Sequence, residues 1–360
     1  MPLVASRKLR FILLIFLSSR IFYFLTSFLL AKANKIEFSE AMFCQYDCHW
    51  YLSIIENGYD TSVRTTGHAG AANWAFFPAF PMAVKLLSGL TNGNPLIIGI
   101  LLNNLFFLFF LIISEKYLSR KFTNYDLNTY IFLYCFSPFS IYFNSLYTES
   151  LYILLIMLFI LNLDQNRLVA GFIGVLLTAV RVTGITFFAL SIFRTTKIVI
   201  SRKKLEVRDA VGVILFPSGL LIFSYYLYRT VGDPIAFITI QKAWGFGDLS
   251  FIDWLFDLPK SNSPVLWGYF FSILFSLILS ISFLMKRNFT EGYILAIPVI
   301  ISVVSVAINF RYFFVLYPIY LFISQVIHSR KYLRLPVYLI AVSSLVFALN
   351  AWLNSAGYLV

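Results

Sequence analysis

Charge is what this sequence has least of. Only 12% of its 360 residues are Asp, Glu, Lys or Arg, about half the roughly 25% of an ordinary soluble domain. A chain of this length can bury a sizeable core, but so few charges cannot clothe that core in a polar surface. A water-soluble globule is therefore excluded. Also absent are a Ser-His-Asp set, a Gly-rich phosphate loop and a zinc ribbon; Gly184 and Gly245 stand isolated. No internal repeat or low-complexity segment is visible. Cysteine is scarce, at 3 residues. Cys135 sits in an apolar run and reads as packing. Cys44 and Cys48 are four apart, which fits unpaired thiols or, on the outer side of a membrane, a disulfide. His49 alone beside them does not make a zinc site.

What is present is apolar. Hydrophobic residues make up 60% of the chain, with 40 Phe and 22 Tyr, as suits helix packing and interfacial belts. Stretches of about 20 apolar residues, enough to span a bilayer, recur along the whole length. The expected fold is an all-α, polytopic membrane bundle of about eleven helices, one domain over residues 1–360. The first apolar run, 11–30, follows Arg7, Lys8 and Arg10 like a signal peptide. Its length, Arg20 within it and the lack of a small-residue cleavage site indicate a retained first helix. A large polar loop follows at 31–77, then a short interfacial piece to Leu90. Further helices are expected at 96–113, 129–145 and 149–163. Residues 168–200 read as two short helices meeting at Arg181-Val182-Thr183-Gly184. The remaining helices are expected at 210–228, 265–285, 292–308, 312–327 and 336–354.

The net charge of +12 does not point to nucleic acid, because its distribution follows the membrane. Basic residues cluster in short segments, among them Lys116-Arg120-Lys121 and Arg194-Lys197-Arg202-Lys203-Lys204-Arg208, which the positive-inside rule makes cytoplasmic. The loops 31–77 and 229–264 are then external, and most of the conspicuous polar residues fall on that side. The densest group is Gln45-Tyr46-Asp47-Cys48-His49-Trp50-Tyr51. Asp47 there reads as a general base or as a solvated loop acid; His49 reads as a second acid–base group or a hydrogen-bonded loop residue. Glu149 is either an acid in the first turn of a helix or a catalytic group. Arg181 and Arg311 flank apolar helices externally, against the charge bias, as snorkelling side chains or as clamps on a phosphate.

Taken in order, these motifs resemble the PIG-V family of GPI-anchor mannosyltransferases and their prokaryotic relatives, within the GT-C superfamily. Asp47-Cys48-His49-Trp50-Tyr51 with Gly58-Tyr59 resembles the family's Trp-Asp-Ser start and Gly-Tyr end of the first external loop. Phe76-Phe77-Pro78-Ala79-Phe80-Pro81 resembles its Phe-Phe-Pro-x-(Tyr/Phe)-Pro signature. Ser137-Pro138-Phe139-Ser140 and Tyr147-Thr148-Glu149-Ser150 resemble its Ser-Pro-x-Ser and Tyr-(Ser/Thr)-Glu-Ser pair. Arg181-Val182-Thr183-Gly184, Gly232-Asp233-Pro234 with Gln241-Lys242-Ala243-Trp244-Gly245, and Arg311 with Pro318 resemble its later segments. Two positions depart from the pattern: Tyr46 stands where the family has Trp, and Cys48 where it has Ser.

The resemblance implies a reaction. A sugar, with mannose favoured, passes with inversion from a polyprenyl-phosphate donor to a hydroxyl of a lipid-linked or envelope glycan. It does so on the outer face of what is expected to be a prokaryotic plasma membrane. Asp47 would be the base, with Glu149 in reserve. Arg181, Arg311 and Lys242 would meet the phosphate, and His49, Trp50, Tyr51, Phe77, Gln241 and Trp244 would line the substrates. No metal or other cofactor is expected, and membrane lipids are the expected surroundings. The rival readings are a lipid or oligosaccharide flippase, which the missing internal repeat disfavours, and a non-catalytic scaffold subunit.

Overall fold

Long uncharged runs can satisfy their backbone hydrogen bonds in a bilayer only as helices, and helix is what they form. The computed structural model describes residues 2–66, 68–202, 204, 206–245, 250–305 and 310–355; Lys203 of the basic 194–208 segment lies outside them. Among the described residues there is no β-strand. Six helices are long and apolar enough to cross a membrane: Arg7–Ala33, Pro95–Lys121, Val182–Ser201, Val207–Val231, Pro264–Met285 and Lys331–Leu353. A seventh crossing results if Pro138–Asn144 and Glu149–Leu163, bent by 95°, count as one.

The eleven crossings expected from the sequence are therefore not all matched by length and composition. Proline explains part of the difference, since it removes a backbone donor and disfavours helix just before it. The run 129–145 breaks at Ser137-Pro138 into a helix, Leu127–Phe136, and a 3-10 segment, Pro138–Asn144. The run 312–327 divides into Phe310–Phe314 and Tyr317–Ser329, with Pro318 in the first turn of the second. Other apolar helices are short: Ala79–Thr91, Arg167–Val180 and Phe289–Val304. The loop expected over 31–77 carries structure of its own, namely Glu40–Phe43, the helix Asp47–Asn57 and Asn73–Ala75.

The expected break near 181 is present. Arg167–Val180 ends at Arg181, whose backbone is extended at φ −153° and ψ 144°. A 3-10 turn, Val182–Ile185, leads into Thr186–Arg202. Gly184 is required there, because a Cβ would stand 2.2 Å from the Leu177 carbonyl oxygen.

By its contacts the chain forms two compact units interleaved in sequence. The first comprises Met1–His49, Leu96–Ile153 and Phe310–Val360. Its first helix carries Arg20 near the middle of the apolar run Arg7–Ala33. That guanidinium donates to the Asn104 and Asn144 side-chain carbonyls at 2.9 and 2.8 Å. Its carbon lies 5.1 and 5.2 Å from the ring centres of Phe16 and Phe107. Asn103 braces the same turn, donating to the carbonyls of Tyr142 and Ser145 at 2.7 and 2.8 Å.

The second unit comprises Trp50–Pro95 and Leu154–Asn309. In it, Arg167 pairs with Asp209 at 2.6 Å, both side chains being almost wholly buried. Close beside them Arg167–Val180 packs on Val207–Leu215 through glycine, since a Cβ on Gly171 would meet the Gly212 carbonyl oxygen at 2.3 Å. Asp209→Asn keeps the shape but leaves the buried Arg167 cation without its counter-charge, a loss of about 3–5 kcal/mol. Thermal unfolding in detergent is expected to show a clear drop in midpoint, partly recovered when Arg167→Gln is added. An unchanged midpoint would show that the pair contributes nothing to stability.

Candidate active site

The first unit brings three of the expected residues together. Asp47 opens the helix Asp47–Asn57, where a carboxylate is favoured by the amide dipoles. Glu149 opens the helix Glu149–Leu163, and Arg311 lies in the short helix Phe310–Phe314. The Arg311 guanidinium donates through one terminal nitrogen to Asp47, and its Nε is 3.6 Å from a Glu149 oxygen. Three rings surround its carbon, Tyr142, Tyr147 and Tyr312, with centres at 5.8, 5.5 and 5.7 Å. Such faces are favourable to a cation.

Two opposing influences act on that cation. Burial alone would lower its pKa, but the facing Asp47 and Glu149 carboxylates outweigh this and hold it well above the usual arginine value. Arg311 therefore stays charged at any working pH and bridges two acids. The acids differ in access: the Asp47 side chain is 15% exposed, that of Glu149 only 1%. Asp47 is thus partly open to solvent, while Glu149 is buried. The arrangement suits Asp47 to proton transfer and Glu149 to holding the guanidinium in place.

One participant escaped the reading of the sequence. The Tyr147 hydroxyl accepts the Asp47 backbone N–H at 3.2 Å and donates to the Gln45 carbonyl at 3.0 Å. It thereby ties the start of the Asp47 helix to the turn before Glu149. Trp352 backs the same ring at 5.8 Å. Tyr147 stands in the quoted Tyr-Thr-Glu-Ser motif, so its neighbourhood to Glu149 was the available signal. Trp352 had none.

His49 is exposed, with Nδ1 4.0 Å from Cys44 Sγ; Cys44 and Cys48 are joined by a disulfide. In the second unit Trp50 stacks on Phe76 at 5.8 Å and meets Trp244 edge-on at 5.5 Å, with the Arg64 guanidinium 4.3 Å above it. Trp50, Tyr51 and Phe77 are all buried. Phe77 belongs to a cluster with Phe223, Leu227 and Phe237. Gln241 and Lys242 share the 3-10 turn Ile240–Trp244, Lys242 being exposed. Arg181 is half-buried at its helix end. Nearby, an apolar cavity of about 360 Å³ is lined by Tyr59, Met82, Val175, Ala179 and Ile222 among others. Among the described residues no three His, Cys, Asp or Glu side chains converge as metal ligands.

No protein-family model matches this chain. Among curated proteins it is similar to "GPI mannosyltransferase 2" of Schizosaccharomyces pombe, with 27% identity over 254 residues, covering 60% of this chain and 53% of that protein. The match thus spans about half the length of that relative.

Proposed function

We propose that this chain is a membrane glycosyltransferase of the GT-C type. It moves a hexose, in the first instance mannose, from a polyprenyl-phosphate donor to a hydroxyl of a glycan or glycolipid. The observation that carries the reading is the Asp47 carboxylate, partly exposed and held by a buried arginine. Similarity to a protein named as a mannosyltransferase supports the choice of sugar.

In this reading Asp47 takes the proton of the acceptor hydroxyl as its oxygen attacks the anomeric carbon. The lipid phosphate leaves from the opposite face, so the sugar is inverted. Arg181, with Lys242, meets the negative charge that grows on the leaving phosphate. The apolar cavity, whose lining residue Ala179 is two positions before Arg181, suits the first part of the donor's hydrocarbon chain. The Cys44–Cys48 bond supports an outward-facing Asp47 segment, since disulfides persist on the oxidising side of a membrane. That side is the outer face of a prokaryotic plasma membrane in this proposal.

The test is transfer of labelled mannose from a polyprenyl-phosphate donor by the protein purified into nanodiscs, against lipid-linked glycan acceptors. A lipid flippase would move substrate across vesicles without releasing lipid phosphate; that outcome would overturn the proposal. Arg181→Ala is expected to lower kcat/KM for the donor by about 10²–10³-fold. Arg181→Lys, which keeps charge but loses the planar fork, is expected to fall between it and the unaltered protein. Unchanged donor dependence in a folded Arg181→Ala variant would leave that residue a snorkelling side chain only.

A further inference from the structure

The disulfide raises a question that its position answers. Cys44 and Cys48 are 2% and 0% exposed, and their bond closes a ring of Cys44, Gln45, Tyr46, Asp47 and Cys48. A loop this short restricts the unfolded chain by only about 2 kcal/mol, less than a long loop would, so the entropic route does not by itself explain a bond at this place. It also acts locally. Within the ring Tyr46 takes φ +54°, the left-handed region that residues with a Cβ rarely enter. Adjacent hydrogen bonds fasten the same turn: the Cys48 N–H donates to the Gln45 carbonyl at 3.2 Å and the His49 N–H to the Tyr46 carbonyl at 3.1 Å. The Tyr46 ring leans on Trp352 at 5.4 Å. Together with the Tyr147 hydroxyl, which accepts the Asp47 N–H, this ring sets the direction in which the Asp47 side chain leaves the backbone.

We propose that the Cys44–Cys48 disulfide is a positioning device for the Asp47 carboxylate, so that full turnover requires the bond to be closed. This rests on the reading of Asp47 as the base. Opening the ring frees Tyr46 to return to ordinary backbone conformations, and the first turn of the Asp47 helix shifts with it. A displacement of about 1 Å at a catalytic group can cost about a hundredfold in rate. Donor affinity is unaffected, because the phosphate contacts proposed above lie on other segments.

The experiment measures mannose transfer by the full chain in nanodiscs, with the bond closed and after dithiothreitol. Reduction passes two electrons and two protons to the two sulfurs, leaving two protein thiols and the cyclic disulfide of the reagent; alkylation and mass spectrometry count the thiols. The expected result is a fall in kcat of about tenfold to a hundredfold, with donor KM little changed, and recovery on reoxidation with oxidised glutathione. The Cys44→Ser/Cys48→Ser variant is expected to match the reduced protein. On an Asp47→Asn background the same pair of substitutions is expected to cost nothing further. Full turnover with both thiols shown free would overturn the proposal and leave the function standing. So would an additive loss on the Asp47→Asn background, which would make the bond a general support of the fold. If the closed protein transfers no sugar at all, the functional reading fails and the proposal falls with it.

Discussion

Asp47→Asn is expected to lower turnover by about 10²–10⁴-fold, the usual contribution of a general base, while the donor still binds. Asparagine keeps the shape and can still accept the Arg311 hydrogen bond, but it cannot take a proton at neutral pH. The comparison that makes this decisive is Glu149→Gln. Glu149 is buried and paired with Arg311, so its loss is expected to be smaller. Each variant is to be checked for thermal midpoint and donor binding before its rate is read. Near-normal turnover in Asp47→Asn, with collapse in Glu149→Gln, would transfer the role of base to Glu149.

Arg311→Ala is expected to be nearly as damaging, with turnover reduced by about 10²–10³-fold, comparable to removing a preorganised electrostatic donor. Without the guanidinium, two carboxylates face each other across a ring-lined space, and the Asp47 side chain loses the partner that orients it. Arg311→Lys restores the charge but not the geometry, because one ammonium cannot reproduce a planar fork directed at two acids. It should recover only part of the rate. Combined with Asp47→Asn, Arg311→Ala should add little, as residues acting in one unit are non-additive. A fully active Arg311→Lys would show that charge alone suffices and that the bridge seen here is incidental.

Local features of the fold were legible because local rules govern them. The long first helix follows from an apolar run that only Arg20 interrupts, and the division near Arg181 from the charge balance of the loop beyond it. The short helix Ala79–Thr91 was visible as an apolar piece too short to span. The number of crossings was harder, since an apolar run reports burial in lipid or protein without saying where prolines and glycines will bend it. Asp47, Glu149 and Arg311 were each identifiable as candidates, but their partnership was not, Asp47 and Arg311 being 264 residues apart. From the sequence Arg311 suited a phosphate; the structure occupies it with two carboxylates. Trp50, Tyr51 and Phe77 carry the opposite lesson. Aromatic residues serve a sugar site and a packed core equally well, so their type alone did not foretell that these three are buried. The cysteine spacing of four likewise fitted free thiols and a bond alike until the turn at Tyr46 was known.

Arg20 also sets a timetable. A charged residue at the centre of a membrane helix costs about 2.5–3.5 kcal/mol on insertion scales, and its partners Asn104 and Asn144 lie 84 and 124 residues downstream. At ordinary rates of synthesis the second partner leaves the ribosome about 6–25 s after Arg20 does. Through that interval the nascent helix carries an uncompensated guanidinium. It must be tolerated at the bilayer surface, in a water-filled insertion channel or beside a chaperone until the asparagines arrive. Birth order and not only final packing thus bears on this chain, and a defect at Asn104 or Asn144 would first be felt as failed insertion of a helix made long before.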